Sequence, residues 1–251
     1  MAGETLLRWD GRALGPAAQD EAGRAVLVAD SWLVDEGYER AAGAHWDRFG
    51  ASCLEAGAGR DDLRRFAAAA RAALPLEGRW FPRVELTDAG FALRIRRAPP
   101  PVRDARVVVG APGDPRRWPR RKGPDLERLA GLRASAHARG GDELLLCDDA
   151  GGLLEGALSS LLWWEDDALC TTPCERTLPG VTRGLLLAIA AERGVEARVR
   201  TPQPADLAGR ETWLTSALHG IRVVSAWVDP RQAAGAATRA PDWREELDRR
   251  G

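Results

Sequence analysis

One residue type with distinctive chemistry occurs once in this chain. Of the 36 Lys and Arg residues, only Lys122, in the stretch RRKGPD (120 to 125), is a lysine. Arg keeps its proton in proteins and is no nucleophile, whereas Lys can lose its proton when desolvated and attack a carbonyl. The composition is rich in Ala, Gly, Arg and Pro. Under such a bias a surface Lys drifts to Arg at little cost. A retained Lys122 is therefore a candidate amine for Schiff-base chemistry, set against chance survival on a basic loop.

Three further stretches could serve such chemistry. Glu155, in LLEGALSSLLWW (153 to 164), leaves a turn and enters a strand. A carboxylate there could hold a protonated ring nitrogen, and the plainer reading is a solvent-facing Glu. TLPGVTRG (177 to 184) stands directly before a helical stretch. Free N–H groups at a helix start bind phosphate, with Gly180 allowing close approach and Thr182 adding a hydroxyl. The plainer reading is a Pro-Gly turn with a Thr cap. Arg48, beside His45 in AHWDRFGASC (44 to 53), could grip a phosphate bidentately or lie in solvent.

Other classes find little support. The net charge is −1, so no global field points to nucleic acid or a membrane. No run approaches the roughly 18 apolar residues of a membrane helix. The opening MAGETLLRWDG lacks the basic and apolar regions of a secretory leader, and a cytoplasmic location is expected. Cys170 and Cys174 have CxxxC spacing, but Cys53, Cys147 and the three His residues are scattered. Reduced, packed thiols are expected and no metal site. The phosphate-binding glycine motifs and the hydrolase GxSxG are absent.

The elements that must position these groups read as mixed α and β. A strand is expected in RAVLVADSWLV (24 to 34). Helices are expected at 44 to 57 and 61 to 74, the second capped by Asp61 or Asp62. Two strands flank a TDAG turn between 79 and 99. APPPVRD (98 to 104) marks an inter-domain connection, giving domains at 1–100 and 101–251. Beyond it come a strand at 105 to 110, a helix at 124 to 141 and a strand from 142. A hairpin follows across EDD (157 to 173), then a helix from 183 to 194 and three more strands. Trp163 and Trp164 are adjacent on a strand and must point to opposite faces. The tail after Pro230 is expected to fray.

The order of these signals resembles one family. HxxRF at 45 to 49, Lys122, GDELLLCDDAGGLLEG (141 to 156), TTP (171 to 173), LPGVTR (178 to 183) and TWLTSALHGIRVV (212 to 224) are similar to the class IV aminotransferases. These are the fold-type IV pyridoxal-phosphate enzymes, including branched-chain and D-amino acid aminotransferases and 4-amino-4-deoxychorismate lyases. The resemblance runs from about residue 24 to 229. It implies a small N-terminal α/β domain and a larger C-terminal one, with the cofactor in the cleft between them. Lys122 would form the Schiff base and shuttle protons at the substrate Cα. Glu155 would pair with the pyridine nitrogen. Arg48, Gly180, Val181, Thr182, Ser216 and Ala217 would hold the phosphate. The resemblance further implies a homodimer and a small-molecule amino substrate.

The reaction stays open between aminotransferase and lyase. KGPD lacks the tyrosine that branched-chain enzymes carry after the lysine, and TSALHGIRVV looks more like the lyases. Against the lyase, DSWLVDEGYERAAGAH is short and lacks a clear counterpart of the lyases' threonine. Ser160 stands where most members have Asn. Arg94, Arg96 or Arg97 could meet a substrate carboxylate, or could simply line an exposed strand edge. A catalytically degenerate binding protein on the same fold, and an unrelated α/β binding domain, are the alternatives.

Overall fold

The computed structural model describes residues 4–17 and 24–250. Met1 to Gly3 of the opening segment, the segment 18–23 and Gly251 lie outside the described residues. The chain divides into two compact units. The first comprises the residues up to Pro100 together with Arg121–Leu126, and the second Pro101–Arg120 with Glu127–Arg250.

In the first unit, β1 (Thr5–Trp9), β2 (Leu14–Pro16), β3 (Val26–Ser31), β7 (Arg83–Thr87) and β8 (Gly90–Ile95) form one antiparallel sheet, ordered β2-β1-β8-β7-β3. Short strands β4 (Val34–Asp35), β5 (Tyr38–Glu39) and β6 (Arg79–Trp80) form a second. The helices are α1 (Ala42–Glu55) and α2 (Arg60–Ala72). On α1 the buried residues are His45, Trp46, Phe49 and Cys53, the i, i+1, i+4, i+8 pattern of one helix face. Trp46, Phe49 and Cys53 share a core with Trp32 and Val84 of the sheet side and Phe66 of α2. The expected Asp cap of α2 is not made: Gly59 is the N-cap. Asp62 instead accepts a 2.8 Å bond from the Trp9 indole, which ties α2 to β1.

The second unit is built on an eight-stranded mixed sheet. Its strands are β9 (Asp104–Val109), β10 (Glu143–Cys147), β11 (Leu153–Gly156), β12 (Ser160–Glu165), β13 (Ala168–Thr171), β14 (Ala197–Val199), β15 (Thr212–Ser216) and β16 (Gly220–Asp229). Their order is β11-β10-β9-β16-β15-β12-β13-β14. Helix α3 (Leu126–Ala138) precedes β10, and α4 (Val181–Glu192) follows β13. Trp163 and Trp164 do lie on opposite faces, but both are core: Trp163 packs with Leu145 and Leu214, Trp164 with Leu186 and Ile189 of α4. Cys53, Cys147 and Cys170 are buried thiols, while Cys174 is exposed rather than packed.

The tail does not fray. Ala240–Asp248 forms α5, with Ala240, Trp243 and Leu247 buried. Two forces hold it. The rings of Trp164, Trp213 and Trp243 meet with centroids 5.3 to 5.6 Å apart. The Glu211 carboxylate accepts the backbone N–H groups of Thr238, Arg239 and Ala240 at 2.8 to 3.0 Å, and the Trp213 indole N–H at 2.9 Å. A carboxylate at a helix start satisfies orphan donors and complements the dipole. Trp243→Ala should therefore destabilise the protein by about 3–5 kcal/mol, as for other core aromatic truncations. Urea unfolding checks this, and a frayed tail would leave the midpoint unchanged.

Candidate functional site

The first unit half-buries Lys122. Its backbone is pinned to β3, where the Ala29 N–H donates to the Lys122 carbonyl at 2.7 Å. Gly123 permits this approach. Its φ is +137°, and a Cβ there would lie 2.8 Å from Val28 Cα and Ala29 N. Burial removes water from the ammonium and lowers the Lys122 pKa to about 8. Asp30 opposes that fall, while Arg48, Arg96 and Arg83 add to it.

Asp30 is the unexpected member of this group. It is fully buried in β3, a strand that otherwise reads as apolar. The Arg48 Nε and Nη2 grip it at 2.8 and 2.7 Å, and His45 Nδ1 lies 2.8 Å away. Burial favours the neutral acid, but Arg48 and His45 outweigh it and hold the carboxyl far below its usual range. Burial likewise pushes the His45 pKa down, against the pull of Asp30. Arg48, expected to meet a phosphate, has one edge of its guanidinium fixed by a carboxylate. The one-turn spacing of His45 and Arg48 on α1 brings both to Asp30.

The three arginines of β8 and its end separate cleanly. Arg94 is spent on Glu85 and Glu4. Arg97 is exposed and lies over the Trp80 ring, 4.0 Å from its centroid. Arg96 is half-buried, and its Nε donates to the Phe81 carbonyl at 3.2 Å. Burial and the Arg83 charge lower its pKa to about 10. These residues do not line an exposed edge, because β8 runs between β1 and β7.

The second unit gathers the other expected residues. Glu155 is buried in β11, accepts the Leu178 N–H at 2.8 Å and is ion-paired with Arg116. Burial pushes its pKa up, and Arg116 and the Leu178 N–H resist. Arg116 is itself clamped by both oxygens of Asp114, at 2.9 Å each. Sequence reasoning missed Arg116. It sits among similar arginines in RRWPRR, and only its place six residues before Lys122 sets it apart.

Gly180 is the N-cap of α4, with no side chain capping the helix, and Val181 is its first residue. Thr182 is buried near that start but does not cap it, contrary to the plainer reading. Ser216 ends β15, and its hydroxyl accepts the His219 N–H at 3.3 Å across the turn containing Ala217. Ser160 opens β12 with its hydroxyl against Gly180. A buried carboxylate held by a fixed Arg, beside a free helix start, can hold a cationic ring nitrogen and an anion. Among the described residues no group of His, Cys, Asp and Glu could hold a metal ion, and no helix is long and apolar enough to cross a membrane.

The architecture of the chain is that of the fold-type IV class. The sequence model of the amino-transferase class IV family matches residues 27–227, and the chain belongs to that family. It is similar in structure to a fold IV transaminase from Curtobacterium pusillum, with 19% identity, TM-score 0.81, and 99% of this chain and 100% of that one covered. A PLP-bound hypothetical aminotransferase from Mycobacterium tuberculosis gives TM-score 0.80 at 19% identity, covering 98% of each chain. A protein described as a 4-amino-4-deoxychorismate lyase from Legionella pneumophila gives 0.74 at 17%, covering 88% and 90%. No curated protein matches the sequence.

The depressed Lys122 pKa carries a stability consequence. Between about 8 and the ordinary lysine value of 10.5 the unfolded chain binds a proton that the folded chain does not. Stability contributed at this site therefore rises with pH through that window, and the half-buried Lys122 is a liability below it. Cofactor-free Lys122→Met should be more stable than wild type at pH 7, and the difference should shrink as pH rises from 8 toward 10. Urea titrations at pH 7, 8.5 and 10 test this. A difference independent of pH would mean that Lys122 titrates normally.

Proposed function

We propose that this protein is a pyridoxal-phosphate enzyme acting on a small amino compound, as an aminotransferase or a 4-amino-4-deoxychorismate lyase-like enzyme. One observation carries the reading: the sole lysine is half-buried among protein groups that lower its pKa to about 8, with the charge of the buried Asp30 acting on it. A surface lysine retained by chance has no such setting. The residues fit the cofactor, since a buried carboxylate and an uncapped helix start with a glycine cradle match a ring nitrogen and a phosphate.

Bound pyridoxal phosphate supplies an electron sink for negative charge developing at the substrate Cα. Lys122 is the amine that holds the cofactor and moves the proton at that carbon, a task suited to a pKa near working pH. Glu155 holds the ring nitrogen, and Arg116 orients the carboxylate and opposes the upward push of burial on its pKa. Gly180, Val181 and Thr182 offer N–H groups and a hydroxyl to the phosphate, with Ser216 at the end of β15 and Ala217 in the turn after it adding to the set. Arg48 is steered by Asp30. Arg96 is assigned the substrate carboxylate. Among Arg94, Arg96 and Arg97 it alone is half-buried without a carboxylate partner, and its charge acts on Lys122. The proposal extends to a cytoplasmic homodimer.

The retained Lys122, with its lowered pKa, and the buried, ion-paired Glu155 oppose the degenerate-protein alternative. Purified protein mixed with pyridoxal phosphate should develop a visible absorbance band. Borohydride reduction followed by peptide mass analysis should find a pyridoxyl group on Lys122. Lys122→Arg should fold, keep its circular dichroism and give neither signal. A pyridoxyl mass elsewhere, or a band that survives the substitution, would remove Lys122 from the chemistry. Turnover of amino acids against aminodeoxychorismate then separates the two reactions. Arg96→Leu should raise KM for a carboxylate-bearing substrate at least tenfold, as loss of a charge-assisted bond requires.

A further inference from the structure

The second unit contains two neighbouring buried hydroxyls, one of which has no hydrogen-bond partner. Ser160 on β12 and Thr215 on β15 are register partners, so their side chains stand on one face of the sheet. The next partners on that face, Leu162 and Trp213, share a core with Leu186 and Ile189 of α4. Ser160 and Thr215 thus continue the α4-facing row beyond its apolar part. Both are buried, at 5% and 2% exposure. Thr215 Oγ1 has no hydrogen-bond partner. A buried hydroxyl without a partner costs on the order of 1–3 kcal/mol, so it implies a ligand or another reason to persist.

Their position supplies the reason. The Ser160 hydroxyl occupies the space that a side chain at residue 180 would need, and Gly180 is the N-cap of the twelve-residue α4. No side chain caps that helix start. Ser160 therefore lies against the N-cap residue of α4, with Thr215 its cross-strand partner on the same face. Donor N–H groups, a positive dipole end and convergent hydroxyls suit an anion with several acceptor oxygens.

We propose that Ser160 and Thr215 are phosphate-binding residues, donating their hydroxyls to the phosphoryl group at the α4 N-terminus. The inference rests on the pyridoxal-phosphate reading above and names two ligands beyond the residues that the family resemblance implies. It also gives Gly180 a second duty, which is to leave room for the Ser160 hydroxyl.

The test compares pyridoxal phosphate with pyridoxal, which lacks the phosphate, in titrations of cofactor-free protein followed by tryptophan fluorescence. Ser160→Ala and Thr215→Val should each weaken pyridoxal phosphate about tenfold, the usual cost of a bond to a charged group. Pyridoxal affinity should be unchanged. Thermal unfolding of the cofactor-free variants reports whether either fails to fold. Gly180→Ala supplies an independent check, because its methyl must displace the Ser160 hydroxyl. Its loss and that of Ser160→Ala should combine less than multiplicatively in the double variant. Unchanged pyridoxal phosphate affinity in both single variants, or equal losses for the two ligands, would overturn the assignment while leaving the cofactor reading intact. Wild-type protein that binds neither ligand would overturn the cofactor reading itself.

Discussion

The first unit is organised around the partial desolvation of one ammonium group. Removing a charge from water costs several kcal/mol even after relaxation, and a partner of opposite sign must offset it. Asp30 is that partner, but it is shared. Arg48 grips both its oxygens and His45 meets one of them, so only part of its field is left for Lys122. The result is a half-buried lysine whose pKa is lowered to about 8. The position of α1 and the positive φ of Gly123 both serve this balance. α1 supplies His45 and Arg48 from one face, and Gly123 lets the Lys122 backbone reach β3.

The second unit faces the converse problem for Glu155. A buried carboxylate drifts toward the neutral acid unless donors hold the charge. Arg116 and the Leu178 N–H supply them, and Asp114 fixes Arg116 from its far side. The chain Asp114–Arg116–Glu155 leaves the carboxylate oriented before any ligand arrives. Such a site reorganises little on binding, which favours a group that must be placed accurately.

Some of this was legible in sequence and some could not have been. Lys122 stood out by being unique, and the α1 face by its 3.6-residue spacing. The hairpin was readable because EDD falls between two apolar runs, and Asp166 there adopts a positive φ of 52°. Asp30 was hidden because one acid in an apolar strand looks like an exposed position until a helix is seen to bring Arg48 to it. Arg116 was hidden among identical neighbours. The C-terminal helix α5 was misread because its support is entirely non-local: Glu211 caps it from 29 residues away, and Trp164 and Trp213 come from two other strands. Composition near the chain end describes none of those partners.

The distribution of arginine and lysine follows from the same physics. Arg48 on Asp30 and Arg116 on Asp114 each use two guanidinium nitrogens against two carboxylate oxygens. That fork geometry fixes direction as well as charge, and an ammonium cannot reproduce it. Where this chain needs a cation to orient a neighbour, Arg is the better choice, whatever the genomic bias. The demand at residue 122 is opposite. There the cation must be able to disappear, because only the neutral amine has a lone pair to donate. A guanidinium in the same desolvated position would remain charged and would tighten its grip on Asp30. It would compete with Arg48 for that carboxylate and offer no nucleophile in return. A chain that otherwise drifts freely from Lys to Arg therefore meets a barrier at this one position, set by the pKa gap between the two side chains.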